Sequence, residues 1–186
     1  MPLSNKYLQT LVKQYEDLKT SVNNLNSDLT EEQFNAKPAP DRWSVGECIE
    51  HLNASWDLYK ELLQETIDKN QNPSIQNPDE YKPRFLMKKF TGLMEPPYKF
   101  KMKTFSMFIP KEKLNREGII NKFNSDVDVY INFIKSSEKV DIKKTIVVSP
   151  VSKIIKYQAG ELFPFLAAHA RRHIWQAENV KKLILE

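Results

Sequence analysis

Apolar residues recur three and four positions apart along most of this chain, the spacing that lays them on one side of a helix. Leu8, Leu11, Tyr15, Leu18, Val22, Leu25 and Leu29 form the first such stripe, predicting a helix from about Ser4 to Asp28. A polar loop to Asp41 follows, in which Pro38 and Pro40 stop a helix. Ser44-Val45-Gly46-Glu47 then reads as a capping box, opening a second helix that runs to about Asn70. Asn72-Pro73 and Asn77-Pro78 end it. Ile120, Phe123, Val127, Tyr130 and Ile134 predict a third helix over about Leu114 to Glu138. After a connection containing Pro150, a fourth begins near Gly160 and runs almost to the C-terminus, with Pro164 expected in its first turn, where a missing amide costs little.

Four long amphipathic helices and no sustained strand-like alternation predict an all-α, four-helix bundle, with residues 1–186 as one domain. The short first connection makes helices one and two antiparallel neighbours. The second connection, from Gln71 to about Lys113, holds Pro73, Pro78, Pro83, Pro96, Pro97 and Pro110 together with seven aromatic residues, Tyr81, Phe85, Phe90, Tyr98, Phe100, Phe105 and Phe108. Prolines with this many aromatics predict a long ordered excursion packed on the bundle, shaping access to it, and not a disordered linker. It is long enough to let helices two and three run parallel, a point that spacing alone leaves open.

Composition changes this picture little. Only 4 residues are glycine, which helical proteins tolerate. No run approaches the ~18 apolar residues of a membrane span, and the N-terminus reads as an amphipathic helix without a signal-peptide core. A cytoplasmic protein with no membrane partner is the expectation. The single cysteine, Cys48, excludes an internal disulfide. The net charge of +4 is unevenly placed: Lys82 to Arg116 carries ten basic residues against Glu95 and Glu112, or +8, leaving −4 elsewhere. Without any nucleic-acid module signature this stretch reads as a solvated connection, so no nucleic-acid partner is expected.

The candidate chemistry lies in the histidines. His169 and His173 are four apart and share a helix face with Leu162, Phe165, Leu166, Gln176, Ala177, Val180 and Leu183, whereas Arg171, Trp175, Glu178 and Lys182 fall opposite. Two imidazoles so placed suit one metal ion. His51 shares a face of the second helix with Ser44, Glu47, Cys48, Ser55, Leu58 and Leu62, a polar setting for an inward face. All 3 histidines of the chain therefore point inward, and buried imidazoles need partners, either hydrogen bonds within the core or a divalent metal, to which three inward rings together point. Glu47, one turn before His51, is a candidate catalytic carboxylate as well as a capping residue, and Gln176 a candidate for orienting a ligand or bound water. Cys48 reads as a core thiol, and Trp43, Trp56 and Trp175 as packing anchors.

Arg42-Trp43-Ser44-Val45-Gly46-Glu47-Cys48-Ile49-Glu50-His51-Leu52 resembles the opening of the second helix in the DinB-like superfamily, and His169-Ala170-Arg171-Arg172-His173-Ile174-Trp175-Gln176 resembles its closing H-x-x-x-H-x-x-Q motif. The resemblance implies an up-down-down-up bundle, often a homodimer, with a divalent metal such as zinc or nickel on His51, His169 and His173. Some relatives transfer low-molecular-weight thiols such as bacillithiol or mycothiol to electrophiles, and others are described as metal-dependent hydrolases. The expected function is thus a metal-dependent S-transferase acting with a thiol cosubstrate on a small electrophile. A hydrolase using metal-bound hydroxide and a non-catalytic metal- or ligand-binding bundle are the alternatives.

Overall fold

A computed structural model describes residues 3–98 and 114–186 of the chain. It is mostly helical, with α1 over Lys6–Asn26, α2 over Glu31–Asn35, α3 over Val45–Lys69, α4 over Phe85–Met94, α5 over Arg116–Ser136 and α6 over Ala159–Leu185. Between α5 and α6 an antiparallel hairpin joins β1, Ile146–Ser149, to β2, Ser152–Gln158. That hairpin corrects the all-α expectation. Its strands are too short to declare a period: β1 buries Val147 and Ser149 and β2 buries Tyr157, which pairs with Val147, and Pro150 sits at the turn where no ladder amide is needed.

The long helices start where the side chains can satisfy their first amides. Asn5 accepts from the Leu8 amide to open α1, and Asn115 does the same for Gly118 in α5. Ser44 and Glu47 form the expected capping box on α3. A second box, Thr30 with Gln33, opens the short α2, whose Phe34 is fully buried.

In α1 the predicted stripe is the buried one, Leu8 through Leu25, with Leu29 buried just beyond the helix end. α1 packs on α5 and α6, and α3 packs on the same two. The expected side-by-side placement of the first two helices is therefore corrected, because the connection through α2 carries the chain across the core. α1 and α3 meet there through Tyr15 and Trp56, whose ring centroids are 5.6 Å apart. Phe123 and Tyr130 of α5 close this aromatic centre, and the Tyr130 hydroxyl donates to the Trp56 carbonyl at 2.7 Å.

α6 starts at Ala159, so Pro164 is its sixth residue and lies past the first turn. The missing amide leaves the Gly160 carbonyl without its helical donor, and the Tyr7 hydroxyl of α1 donates to that carbonyl at 2.6 Å. A tertiary bond thus replaces the local one, which the spacing of residues along one helix does not reveal. Gly160 also fits beneath the Tyr81 ring, which would stand 2.8 Å from an added Cβ.

Within residues 71–98 the excursion is tied to the helices at particular points, while much of 71–80 is exposed. The Asn77 side chain bonds the carbonyl of Val140 at 2.8 Å and accepts from the Ile142 amide. α4 lies along α6 and is held at both ends: Arg84 chelates the Glu161 carboxylate, and Arg171 binds Glu95 with contacts of 2.8 and 2.6 Å. Phe90 stacks on Phe165 between the two clamps. The remainder of the predicted excursion, including Lys99, Lys101, Lys103, Lys111, Lys113, Phe100, Phe105, Phe108 and Pro110, lies outside the described residues. No helix among the described residues is long and apolar enough to cross a membrane.

Candidate metal centre

His51 reaches the centre of the fold from the second turn of α3, and His169 and His173 from successive turns of α6. The α3–α6 packing brings them together, so that one ligand nitrogen from each lies within 4.8 Å of the others. His51 Nε2 and His169 Nε2 are 3.4 Å apart. Two nitrogens on one tetrahedral ion at ~2.0–2.1 Å are separated by ~3.3–3.4 Å, so this pair already stands at the spacing a shared ion requires. The imidazoles lie close together, with ring centroids 4.4 Å apart for His51 and His173 and 4.7 Å for His169 and His173.

Electrostatics keep two of these rings in the ligand form. The His169 pKa is pushed down to about 3 by burial, with His51 and the Arg172 guanidinium adding to the effect. That of His173 falls well below 6.5, mainly through burial and then through His169, His51 and Arg172. Each is therefore neutral at pH 7 with a lone pair to offer. Gln176 Oε1 lies 3.2 Å from His173 Nδ1. With the amide oxygen accepting, the proton is fixed on Nδ1 and Nε2 is left as the ligand atom.

The other residues singled out by sequence fall into different places. Glu47 is buried, and its bonds among the described residues serve the helix start: one carboxylate oxygen accepts from the Ser44 amide at 2.8 Å, and the other pairs with Lys37 Nζ at 2.8 Å. Cys48 is a buried free thiol whose pKa burial pushes up, leaving it protonated. Trp56 is a packing anchor, and Trp175 meets Tyr98 edge to face at 5.1 Å.

Two neighbours of the site were not picked out by spacing. Trp43, in the connection before α3, lies 5.1 Å from the His51 ring and 5.9 Å from the His173 ring. The signal for it was its place directly before the N-cap of the histidine-bearing helix. Arg172 is buried, with its guanidinium 3.6 Å from the centre of the Tyr98 ring and a bond to the Leu93 carbonyl. Its α4-side contacts are supplied by the excursion, so the α6 sequence gave no sign of them.

The family model of the DinB superfamily matches residues 14–177, a span that holds all three histidines. No curated protein and no solved structure matches the chain.

Proposed function

The chain belongs to the DinB superfamily, and from that premise we propose that it is a metal-dependent enzyme in which His51, His169 and His173 hold one divalent ion, zinc or nickel. The observation that carries this reading is the convergence of three imidazoles, two of them kept neutral by burial, within 4.8 Å. Three neutral nitrogens leave a divalent ion a further coordination position, whereas closed structural sites use four protein ligands. An ion held there would stabilise the thiolate of a low-molecular-weight thiol as the nucleophile towards a small electrophile.

The chain's own residues prepare that setting. Gln176 fixes the tautomer of His173. Arg172 keeps a positive charge beside His169 and His173 and opposes their protonation. Glu47 is committed to Ser44 and Lys37 and so anchors the start of the helix that carries His51.

The same premise supports reading the four long helices as one up-down-down-up bundle. Contacts between α1 and α6 advance together, Tyr7 with Gly160, Gln14 with Arg171 and Leu25 with Lys181. So do those between α3 and α5, Asn53 with Ile119 and Lys60 with Asp126. α1 and α5 are opposed, since Asn5 meets Glu138 while Asn26 meets Arg116. α3 and α6 are then opposed as well, since α6 follows α1, α1 is opposed to α5, and α5 follows α3.

The test is metal analysis of protein equilibrated with zinc, nickel and manganese, followed by turnover of small electrophiles with and without bacillithiol-type thiols. Turnover that requires both metal and thiol supports the reading. Metal-dependent hydrolysis without thiol refutes the transfer step, and a metal-free protein after all three equilibrations refutes the site.

A further inference from the structure

Trp43 touches two of the three histidines, and they come from different helices. Its indole is tilted 53° to the His51 ring at 5.1 Å and lies 23° from parallel with the His173 ring at 5.9 Å. Trp43 is itself partly exposed, whereas His51 and His173 are only 5% and 8% exposed. The indole thus packs against this part of the cluster while itself remaining partly open to solvent. Its own position is tied to the first turn of α3. Ser44, the next residue, is the N-cap, bonded reciprocally with Glu47. Lys37, earlier in the same connection, pairs with the other oxygen of Glu47 at 2.8 Å, and the Arg42 amide bonds the Ala39 carbonyl at 3.0 Å. Glu47 is therefore bonded to both ends of the segment that presents the indole.

We infer that Trp43 is a positioning residue for the metal centre: it holds the imidazoles of His51 and His173 in their converging orientation and screens that side of the bound ion from water and competing ligands. The inference rests on the proposed reading that the three histidines hold a divalent ion. The effect rests on a flat apolar ring packed against both imidazoles, tilted on His51 and near-parallel on His173. An apolar shell of this kind controls solvent access to a metal as directly as the ligands control its geometry. Phenylalanine should keep much of the effect and alanine should lose it.

The experiment uses the full chain loaded with zinc, as wild type and as the Trp43→Phe, Trp43→Leu and Trp43→Ala variants. Zinc release into an excess of a chromophoric chelator is followed in each, with helicity measured alongside. Removing the ring is expected to speed release about tenfold or more in Trp43→Ala, with Trp43→Phe within about threefold of wild type. Trp43→Leu, which keeps an apolar side chain without a flat ring, should fall between them and replaces the alanine variant if that one does not fold. A second readout is tryptophan emission during nickel titration. Quenching should be present in wild type and should lose its Trp43 component in Trp43→Phe, because Trp56 lies in the core and Trp175 lies against Tyr98. Equal zinc release from wild type and from the folded Trp43→Ala or Trp43→Leu variant would overturn the positioning role while leaving the metal site standing. A wild-type protein that takes up no zinc would overturn the underlying reading itself.

Discussion

Acidification of the metal-free protein should destabilise it between pH 7 and pH 5, before its carboxylates begin to titrate. In the unfolded chain His169 and His173 titrate at the ordinary value of 6.5, whereas in the fold His169 is held down to about 3 and His173 well below 6.5. As pH falls through 6.5 the unfolded state takes up protons that the folded state refuses, so folding stability falls with pH. One such histidine costs about 1.4 kcal/mol per pH unit once the unfolded form is protonated, and about 2 kcal/mol from pH 7 to pH 5. His173, whose pKa also falls well below 6.5, adds to this loss in the same direction, against the ~5–15 kcal/mol that stabilises a typical domain. The carboxylates held low by their partners, such as Asp57 beside Lys122 and Lys60 or Glu161 beside Arg84, act in the same direction but at lower pH, from ordinary values of 3.8 and 4.5. The pH 7 to 5 window therefore isolates the imidazoles. The assay is urea denaturation of chelator-treated protein at half-unit pH steps, for wild type and for a His169→Gln/His173→Gln variant. Wild type should show the slope and the double variant should lose most of it. A wild type that is flat over the window, or a double variant with an unchanged slope, would refute the assignment of buried neutral imidazoles.

Three further outcomes are expected. Alanine at His51, His169 or His173, each alone, should lower zinc content by elemental analysis while leaving far-ultraviolet circular dichroism helical, because the core does not depend on the metal; full zinc retention in His51→Ala would remove it from the ligand set. Gln176→Ala should weaken zinc binding by about tenfold to a hundredfold through loss of the His173 tautomer lock, measured by competition with a chelator of known affinity, with unchanged affinity counting against that lock. Tyr7→Phe should cost about 1–3 kcal/mol in urea denaturation, since it leaves the Gly160 carbonyl without either a helical or a phenolic donor; no loss of stability would mean that Pro164 needs no such compensation.

The long helices were legible because each carries its own evidence. A repeated three-four stripe and a side-chain cap occur within a few turns of one another, and Leu8 to Leu25 in α1 and Ser44 with Glu47 in α3 follow the sequence reading directly. Elements shorter than their own period were not legible in that way. β1 alternates over only four residues, burying Val147 and Ser149, and β2 buries Tyr157 alone, so the pattern is too short to stand out in the sequence. α2 has a single buried residue, Phe34, although its Thr30–Gln33 box is written in the same code as that of α3 and could have been read. The position of Pro164 is a different case. Local rules place a proline in the first turn because they count only the bonds within the helix, and the bond that tolerates it here comes from α1, over one hundred and fifty residues away in sequence.

The candidate site divides along the same line. His169 and His173 were paired by helical geometry alone, four residues apart on one face. His51 joined them only because the chain has no other histidine and because its helix face was too polar to be ordinary core. What sequence spacing does not encode is the material between helices. Trp43 belongs to a loop, so no period points it at the imidazoles; its direction is set by the cap that follows it and by Lys37 reaching Glu47. Arg172 was assigned no role from the sequence, and what buries it, α4 and Tyr98, comes from a distant segment. Glu47 makes the point from the opposite direction. A carboxylate one turn from a candidate ligand invites a catalytic role, but both its oxygens are engaged in fixing the helix start. In the proposed centre its contribution therefore runs through the placement of His51 and of the Trp43 indole.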